Sequence, residues 1–398
     1  MLTFAACSSD DTDSSPTSAG ASETTVVVTS DATETTTTAA GPTEEEMLAV
    51  VTTYADLVTA NYDASIASAQ ELKTAIDGFI ADPTTDTLAA AKQQWLDARD
   101  DYGLTEAFRL YDGPIDSPED GPEGQINSWP LDEAYIDYVD GAATAGIINN
   151  PTDFSEINTD VLVGANEEGG ETNISTGWHA IEFLLWGQDL DPTGPGNRPV
   201  TDYTTADNAE RRGQYLTLLT DLLIQDLQFV SGQWSPETGA YRTEFLADPF
   251  TSLGLIFRGI GALSSGELAG ERMAVAFETK DQEDEHSCFS DNTNADIRNN
   301  DAGIRMVYLA DYPGVDGPSL SSLVAAVSPE LDAELTAKLD ESLALVDAFP
   351  ATFETMIQAP EGDPANDAFL AALESIEDQG DLIAAAADSL GITISLEV

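Results

Sequence analysis

The chain has 398 residues, of which 42% are hydrophobic, so its length and composition allow two domains with sizeable cores. It carries 73 acidic and only 14 basic residues, a formal net charge of −59 at pH 7. This charge repels phosphate groups, which argues against nucleic-acid binding and against adsorption to anionic lipid. We interpret it as adaptation to salty surroundings; a specific acidic binding surface is the alternative. With two cysteines, the chain has no disulfide framework.

The N-terminus resembles the end of a bacterial lipoprotein signal. A short apolar run and two small residues precede Cys7, although the basic region and most of the apolar region of such a signal are missing. Residues 8–42 are rich in Ser, Thr, Asp and Ala, which predicts a disordered tether. We expect Cys7 to be lipidated and the protein to be exported and held at the cell envelope. An unmodified cysteine in a disordered tail is the alternative. No later run approaches the roughly 18 apolar residues of a spanning helix.

Helical periodicity dominates the first half of the chain. Thr43 and Glu46 form a capping box, which starts a helix whose apolar residues recur at helical spacing. A second helix stops before Pro83, because proline cannot continue it. Residues 112–131 are predicted as a loop that is rich in glycine and proline. The helices of this half are predicted over about 44–62, 65–80, 87–109 and 171–190.

The second half continues the helical pattern. A proline follows Ser328 and an acid follows the proline, which is typical of a helix start. Residues 392–396 alternate in polarity, but one short run has no evident strand partner. We therefore predict an all-α fold with two helical-bundle domains, 43–205 and 206–398, after the tether. The helices of this half are predicted over about 206–230, 248–263, 265–283, 329–348, 350–358, 365–377 and 380–390.

One helix carries the residues best suited to bind a metal. His179 is one of two histidines in the chain, and Glu182 follows three residues later, so both side chains leave one helical face. Imidazole and carboxylate groups in this arrangement can share a metal ion. A core histidine with protein partners is the alternative. Neither H-E-x-x-H nor H-x-x-E-H is present, so this helix supplies two ligands rather than a complete zinc site.

The second histidine, His286, follows Glu285 in an acidic run. Glu283 and His286 form an E-x-x-H pair, a spacing that di-iron bundles use, so a dimetal site shared with the first pair is one interpretation. A solvated acidic helix end is the other. Residues 291–296 are rich in Asp and Asn but fit no register of a calcium loop, so we reject an EF-hand.

Basic residues are few, so those with acidic neighbours are informative. Arg99, Glu106 and Arg109 follow one another at helical spacing, and Glu267 and Arg272 lie close together in the second half. Buried Arg–Glu pairs that join helices are the simpler interpretation. A clamp for an anion or carboxylate in a cleft is the alternative.

Four segments of the chain resemble the imelysin family of bacterial envelope proteins. The family signature G-x-H-x-x-E stands at Gly177, His179 and Glu182. This signature alone is weak, whereas the four segments in this order are specific, and the resemblance covers about residues 44–390. Three segments besides the signature are similar to the iron-regulated branch of the family: 95–116, 121–138 and 266–291.

The resemblance implies a two-domain, all-helical protein with a site near the domain interface. It also implies a link to iron uptake, in a family that is classed by name as metallopeptidases. The signature positions carry over as His179 and Glu182. Chemistry and the matching segments add two metal-ligand candidates, His286 and Glu285. The other site candidates are Glu106, Arg109, Glu267 and Asp281.

Two functions are consistent with these residues. The first is a lipid-anchored protein that binds iron, another divalent metal or an iron complex in a cleft between two domains, together with an iron-transport partner in the envelope. The second is a zinc metallopeptidase, which needs His286 as a third ligand and a free glutamate as base. We favour binding, and a purely structural role for the motif is a third alternative. We expect His179 and Glu182 to point into the cleft.

Overall fold

Helices form nearly all of the regular structure in the computed structural model, which describes residues 41–191 and 194–398. The predicted all-α class is confirmed, and the described residues contain two isolated β-bridges and no strand. The lipidation predicted at Cys7, and the tether apart from its last two residues, lie outside the described residues. The α-helices are α1 Glu44–Ala81, α2 Thr85–Gly103, α3 Glu123–Ile126, α4 Glu133–Ile136, α5 Gly146–Asn149, α6 Thr159–Ala165, α7 Gly177–Trp186, α8 Ala209–Trp234, α9 Ala240–Ala247, α10 Pro249–Ala262, α11 Val275–Thr279, α12 Thr293–Leu309, α13 Leu320–Val327, α14 Pro329–Asp347, α15 Phe353–Gln358 and α16 Pro364–Ser389.

The first helix is longer than the sequence predicts. The capping box at Thr43 and Glu46 is present, with the Glu46 carboxylate accepting from the Thr43 backbone N–H at 2.8 Å. The helix then continues to Ala81 without the break predicted between residues 62 and 65. Several polar side chains in its buried face donate to its own carbonyls; Asn61 donates to Leu57 O at 2.9 Å, and Thr53 donates to Ala49 O at 3.0 Å. Such local bonds let a helix bury polar residues without ending.

Two groups of long helices pack around a continuous apolar core. In the first group α1 packs on α2 and α8, and α7 lies against α2 and α8. In the second group α16 packs on α10 and α14, and α12 contacts α14. Contacts of α1 with α10 and of α2 with α12 join the groups, and the described residues form one compact unit. The domain boundary at 205/206 stays a prediction.

Two departures from regular α-helix shape the site. After α2 the chain tightens into a 3₁₀ turn over Leu104–Phe108, so Glu106 and Arg109 do not continue the helix predicted for them. After α10 it widens into a π-helix over Leu263–Ala274, which carries Glu267 and Arg272. π-Helical turns are rare and are frequently found at functional sites. No helix in the described ranges combines the length and apolar character needed to cross a bilayer.

Candidate functional site

The signature helix α7 is short and entirely buried. Its first residue, Gly177, has φ +86°, a conformation that residues with a Cβ rarely adopt. A Cβ at this position would lie 2.5 Å from the carbonyl oxygen of Ile126, so the backbone of α3 leaves no room for one. Gly187 ends the helix with φ +75°. The signature glycine therefore lets α7 begin directly against α3, and this fixes the direction in which His179 leaves the helix.

His179 and Glu182 form a buried hydrogen-bonded pair. Nδ1 of His179 lies 2.9 Å from Oε2 of Glu182, and both side chains are fully enclosed. Burial, together with Arg99 and Arg272, lowers the pKa of His179 well below its usual value, so its ring is neutral at pH 7. The other ring nitrogen, Nε2, is buried and has no hydrogen-bond partner among the described residues. When Nδ1 donates to the carboxylate, Nε2 carries the lone pair that binds metals.

Both oxygens of Glu182 are engaged by protein groups. Oε1 accepts the backbone N–H of Ser290 at 2.9 Å and the Ser290 hydroxyl at 2.7 Å, while Oε2 faces His179. Burial raises the pKa of Glu182 to about 8, with Asp296 adding to the rise and the Ser290 bonds opposing it. Glu182 therefore contacts the histidine ring through Oε2 while Ser290 holds Oε1.

His286 lies beside His179 although the two come from different halves of the chain. Their ring centroids are 4.8 Å apart. Nδ1 of His286 is 3.4 Å from Nη2 of Arg99 and 3.9 Å from Oδ2 of Asp296, so this nitrogen has a donor and a carboxylate near it. Burial and the nearby Arg272 lower the pKa of His286 well below its usual value. Two neutral imidazoles thus share one buried pocket of the fold.

An arginine from α2 holds this part of the site together. Arg99 is 1% exposed, and its Nε donates to Oδ1 of Asp296 on α12 at 2.9 Å. It also donates to the side-chain carbonyl of Asn127, and the hydroxyl of Ser287 donates to the second Asp296 oxygen. These bonds tie the segment that carries His286 to both α2 and α12.

A second buried network joins the predicted glutamates and arginines. Arg272 donates to Glu106 at 2.6 Å and to Glu267 at 2.7 Å, and Arg109 donates to Glu106 at 3.0 Å and pairs with Glu123 at 3.0 Å. Burial alone would raise the pKa of Glu106, but the surrounding arginines lower it to about 2. The simpler interpretation of these residues, buried Arg–Glu pairs between helices, matches these contacts.

A cleft of about 270 Å³ is lined by residues of both networks, including Asn127 from the Arg99 network and Arg272 from the arginine–glutamate network. His286 lines it, whereas His179 and Glu182 do not, so the expectation that this pair points into the cleft is not met. The His179 ring lies behind the wall and contacts two lining rings, His286 at 4.8 Å and Trp129 at 4.9 Å between centroids. The lining residues come from both halves of the chain: Arg109, Glu123, Asn127, Ser128, Trp129, Pro130, Glu267, Glu271, Arg272, Val275, Asp284 and His286.

Two of the predicted site residues make hydrogen bonds to groups other than the histidines. Oε2 of Glu285 accepts from the Thr293 hydroxyl at 3.2 Å, and burial, with a smaller effect of Glu354 on α15, raises the pKa of Glu285 to about 9. Asp281 is exposed and caps the 3₁₀ turn that follows it, accepting from the backbone N–H of Glu283 at 3.1 Å. No three His, Cys, Asp or Glu side chains in the described ranges stand in a geometry that would hold a metal ion. Metal binding by His179, Glu182, His286 and Glu285 stays a prediction.

Several residues of the site have no clear sequence signal. Ser290 holds Glu182, and Trp129 and Asn127 line the cleft, yet none of them belongs to a spacing pattern. Asp296 lies in the run that we tested only as a calcium loop. Trp129 and Asn127 lie in the resembling segment 121–138, and Ser290 lies in the segment 266–291. This resemblance was the one sequence signal for these three residues.

The comparisons with known proteins agree with this architecture. The model of the family described as Imelysin matches residues 58–379. The chain belongs to the imelysin family. Its imelysin region is similar to iron-regulated protein A of Synechococcus elongatus, with 27% identity over 321 residues that cover 78% of this chain and 77% of that protein. The crystal structure assigned as an iron-regulated protein A precursor from Parabacteroides distasonis shares the fold, with a TM-score of 0.70 and 21% identity. That likeness covers 88% of this chain and 96% of the other.

Proposed function

We propose that this imelysin-family protein binds iron or another divalent metal, or an iron complex, at the two histidines behind the cleft. His179 and His286 would supply the nitrogen ligands. In this proposal the protein is exported, anchored through lipid on Cys7, and supports iron uptake with a transport partner in the envelope. The iron-regulated relative supports the choice of iron over other metals.

The observation that carries the proposal is the buried Nε2 of His179, which has no hydrogen-bond partner in the part of the chain that the structure describes. A buried polar atom without a partner costs on the order of 1–3 kcal/mol, so proteins rarely keep one without a use. Glu182 contacts the other ring nitrogen at 2.9 Å, and when Glu182 is ionised this is the carboxylate–histidine arrangement that orients metal ligands in proteins. His286 is 4.8 Å away between ring centroids and is also neutral, so two nitrogen donors lie within one pocket.

Two protein nitrogens do not complete the coordination of a transition metal. Because Ser290 holds Oε1 of Glu182 and Thr293 donates to Oε2 of Glu285, we expect the remaining positions to be filled from the cleft. The cleft borders His286 and can admit water or the ligands of a metal complex. This supports cargo that brings its own ligands, such as an iron chelate, over an ion held by protein groups alone.

The same geometry gives less support to a zinc peptidase. A catalytic zinc site normally has three protein ligands and one open position. The described residues offer no third ligand beside the two histidines, and the acids nearest to the pair are hydrogen-bonded or paired with arginines. A peptidase assay on casein with and without a chelator separates the two functions: chelator-sensitive cleavage would favour the enzyme.

Metal content tests the proposal directly. Purified wild type and the variants His179→Ala and His286→Ala are loaded with ferrous iron or zinc, dialysed, and analysed by mass spectrometry. We expect wild type to retain metal and both variants to lose most of it. Ser342→Ala is the matched control, because it removes another buried polar contact, 2.9 Å to Ser375, far from the cleft. Equal metal content in wild type and His179→Ala would refute the proposal.

A further inference from the structure

The walls of the cleft carry more negative than positive charge. The lining acids are Glu123, Glu267, Glu271 and Asp284, and the lining bases are Arg109 and Arg272. Each arginine is already paired with two carboxylates. Arg109 contacts Glu106 and Glu123, each at 3.0 Å, and Arg272 contacts Glu106 at 2.6 Å and Glu267 at 2.7 Å. Both guanidinium charges are thus balanced within the network, which argues against a clamp for an anion.

Two of the lining acids have no basic partner among the described residues. Glu271 is exposed, and its carboxylate makes neither an ion pair nor a hydrogen bond there. Asp284 accepts from the Thr279 hydroxyl at 2.5 Å and pairs with no lysine or arginine of the described chain. A concave site lined by one sign of charge concentrates ions of the opposite sign. The cleft therefore attracts cations and repels anions.

The π-helix explains why Glu271 faces outward while its neighbour faces inward. Arg272 donates to Glu267, five residues earlier, at 2.7 Å. Residues at this spacing come together in the wider turn of a π-helix, whereas in an α-helix the neighbours are three and four apart. Arg272 is turned into the network and is 7% exposed, while Glu271 stays exposed at the lining. The same local geometry that buries the arginine thus sets an unpaired carboxylate at the cleft.

The two histidines limit what kind of cargo can bind beside this charge. His286 lines the cleft, and its ring packs 4.8 Å from that of His179 between centroids. Nε2 of His179 has no partner within the described chain, and the contacts of His286 are made by Nδ1. If each ring supplies one nitrogen to a six-coordinate metal, the cargo must bring four ligand atoms and leave two adjacent positions open.

We propose that the cleft selects metal complexes by charge: it takes cationic complexes with two open positions in preference to anionic ones, and Glu271 is a residue that determines this specificity. The proposal rests on the proposed function for its two histidine ligands. For ferric iron, two singly charged hydroxamate groups leave a cationic complex, whereas two doubly charged catecholate groups leave an anionic one. The cargo class that fits is therefore a ferric complex of the hydroxamate type.

Two nickel complexes of opposite charge test the selection. Nickel(II) nitrilotriacetate is an anion and nickel(II) tris(2-aminoethyl)amine is a dication. Both chelators are tripodal, fill four positions and leave two adjacent ones open, and nickel accepts imidazole ligands. Each complex is titrated by calorimetry into the full chain near neutral pH, at low and at high potassium chloride. The proteins are wild type, Glu271→Gln, His286→Ala and the matched control Glu278→Gln, an exposed acid on α11 outside the lining.

The expected result is a preference for the amine complex in wild type by about tenfold or more, which decreases as salt screens the charge. Glu271→Gln should lower this preference by about threefold or more. Glu278→Gln removes the same charge from the chain but should keep the preference of wild type, so the comparison separates the cleft from the general attraction of an acidic chain for cations. Because both acids are exposed, neither variant should change the melting temperature.

Equal binding of the two complexes by wild type, tighter binding of the anionic complex, or the same preference in Glu271→Gln and wild type would overturn the charge selection. The histidine ligands are tested separately by His286→Ala. A preference for the amine complex that survives in His286→Ala would refute coordination by this histidine and keep the charge selection. Equal binding of both complexes that is lost in His286→Ala would do the reverse. If wild type binds neither complex, both are refuted.

Discussion

Ser290 donates both its backbone N–H and its hydroxyl to one oxygen of Glu182, at 2.9 and 2.7 Å, across 108 residues of sequence. This pair of bonds leaves only the other oxygen of Glu182 to face His179. The loop that carries Ser290 also carries His286, so the same contact positions both histidines. Glu182 is thus the residue through which the second half of the chain sets the orientation of the signature histidine.

Replacement of Ser290 by alanine tests this role. Ser290→Ala removes the hydroxyl bond and should cost on the order of 1–3 kcal/mol, because Glu182 remains buried with one donor fewer. If Glu182 orients a metal ligand, metal affinity should also fall by about 10–100-fold. Chemical denaturation and metal titration measure the two effects. Ser342→Ala, which loses a buried contact with Ser375, should lose stability but keep metal affinity. A Ser290→Ala variant with unchanged metal affinity would contradict the positioning role.

The arginine–glutamate network makes a second prediction. Arg272 is 7% exposed and contacts Glu106, Glu267 and Asn300. Arg272→Met should destabilise the fold by about 3–5 kcal/mol, because it leaves buried carboxylates without their charge partner. Urea unfolding measures the change.

The matched control for this prediction is Arg305→Met. Arg305 pairs with Asp340 at 2.7 Å and Asp311 at 3.3 Å at the surface, so its loss should cost no more than about 1 kcal/mol. If the two variants lose similar free energies of unfolding, burial of the network does not add to its contribution to stability.

The signature glycine can be tested in the same way. Gly177→Ala places a Cβ 2.5 Å from Ile126 O in a residue with φ +86°, so we expect a loss of roughly 1–3 kcal/mol or more. Gly78→Ala, in α1 where nothing lies within 4 Å, should instead gain about 0.5–1 kcal/mol. Thermal unfolding of both variants gives the comparison, and a neutral Gly177→Ala would mean that α7 can begin in another way.

Local signals in the sequence predict much of the fold. The capping box at Thr43, the helix stop before Pro83 and the proline start at Pro329 all appear in the structure. Helix α12 was missed because the first half of its buried face is largely polar. Asp296 and Asn300 on that face are satisfied by Arg99 and by Arg272 and Gly103, so hydrophobic periodicity does not reveal it.

The site is less predictable than the helices. Spacing places His179 and Glu182 on one helical face, and the structure confirms that their side chains meet. Spacing cannot show that His286 packs against His179, because that contact depends on how α7 and the segment before α12 pack in three dimensions. It also cannot show that Ser290 donates to one oxygen of Glu182.

Asp226 predicts a specific pH dependence of stability. It lies on α8, is 7% exposed, and has one oxygen without a hydrogen bond among the described residues. Burial raises the pKa of Asp226 to about 7 in the folded protein, above its unfolded value near 3.8. Between these two pH values the folded state binds more protons than the unfolded state, so this residue makes stability fall as pH rises.

Asp226→Asn should therefore match wild type at about pH 4 and exceed its stability near pH 8, by on the order of 2–4 kcal/mol. The measurement is the difference in unfolding free energy between variant and wild type across this range. Taking the difference removes the pH dependence that every other acid in this highly charged chain contributes equally to both proteins. Glu210→Gln, an exposed acid on the same helix, should show a small difference that does not change with pH. If the difference in unfolding free energy between Asp226→Asn and wild type is also independent of pH, the carboxyl of Asp226 is ionised in the folded protein. Burial would then not raise its pKa.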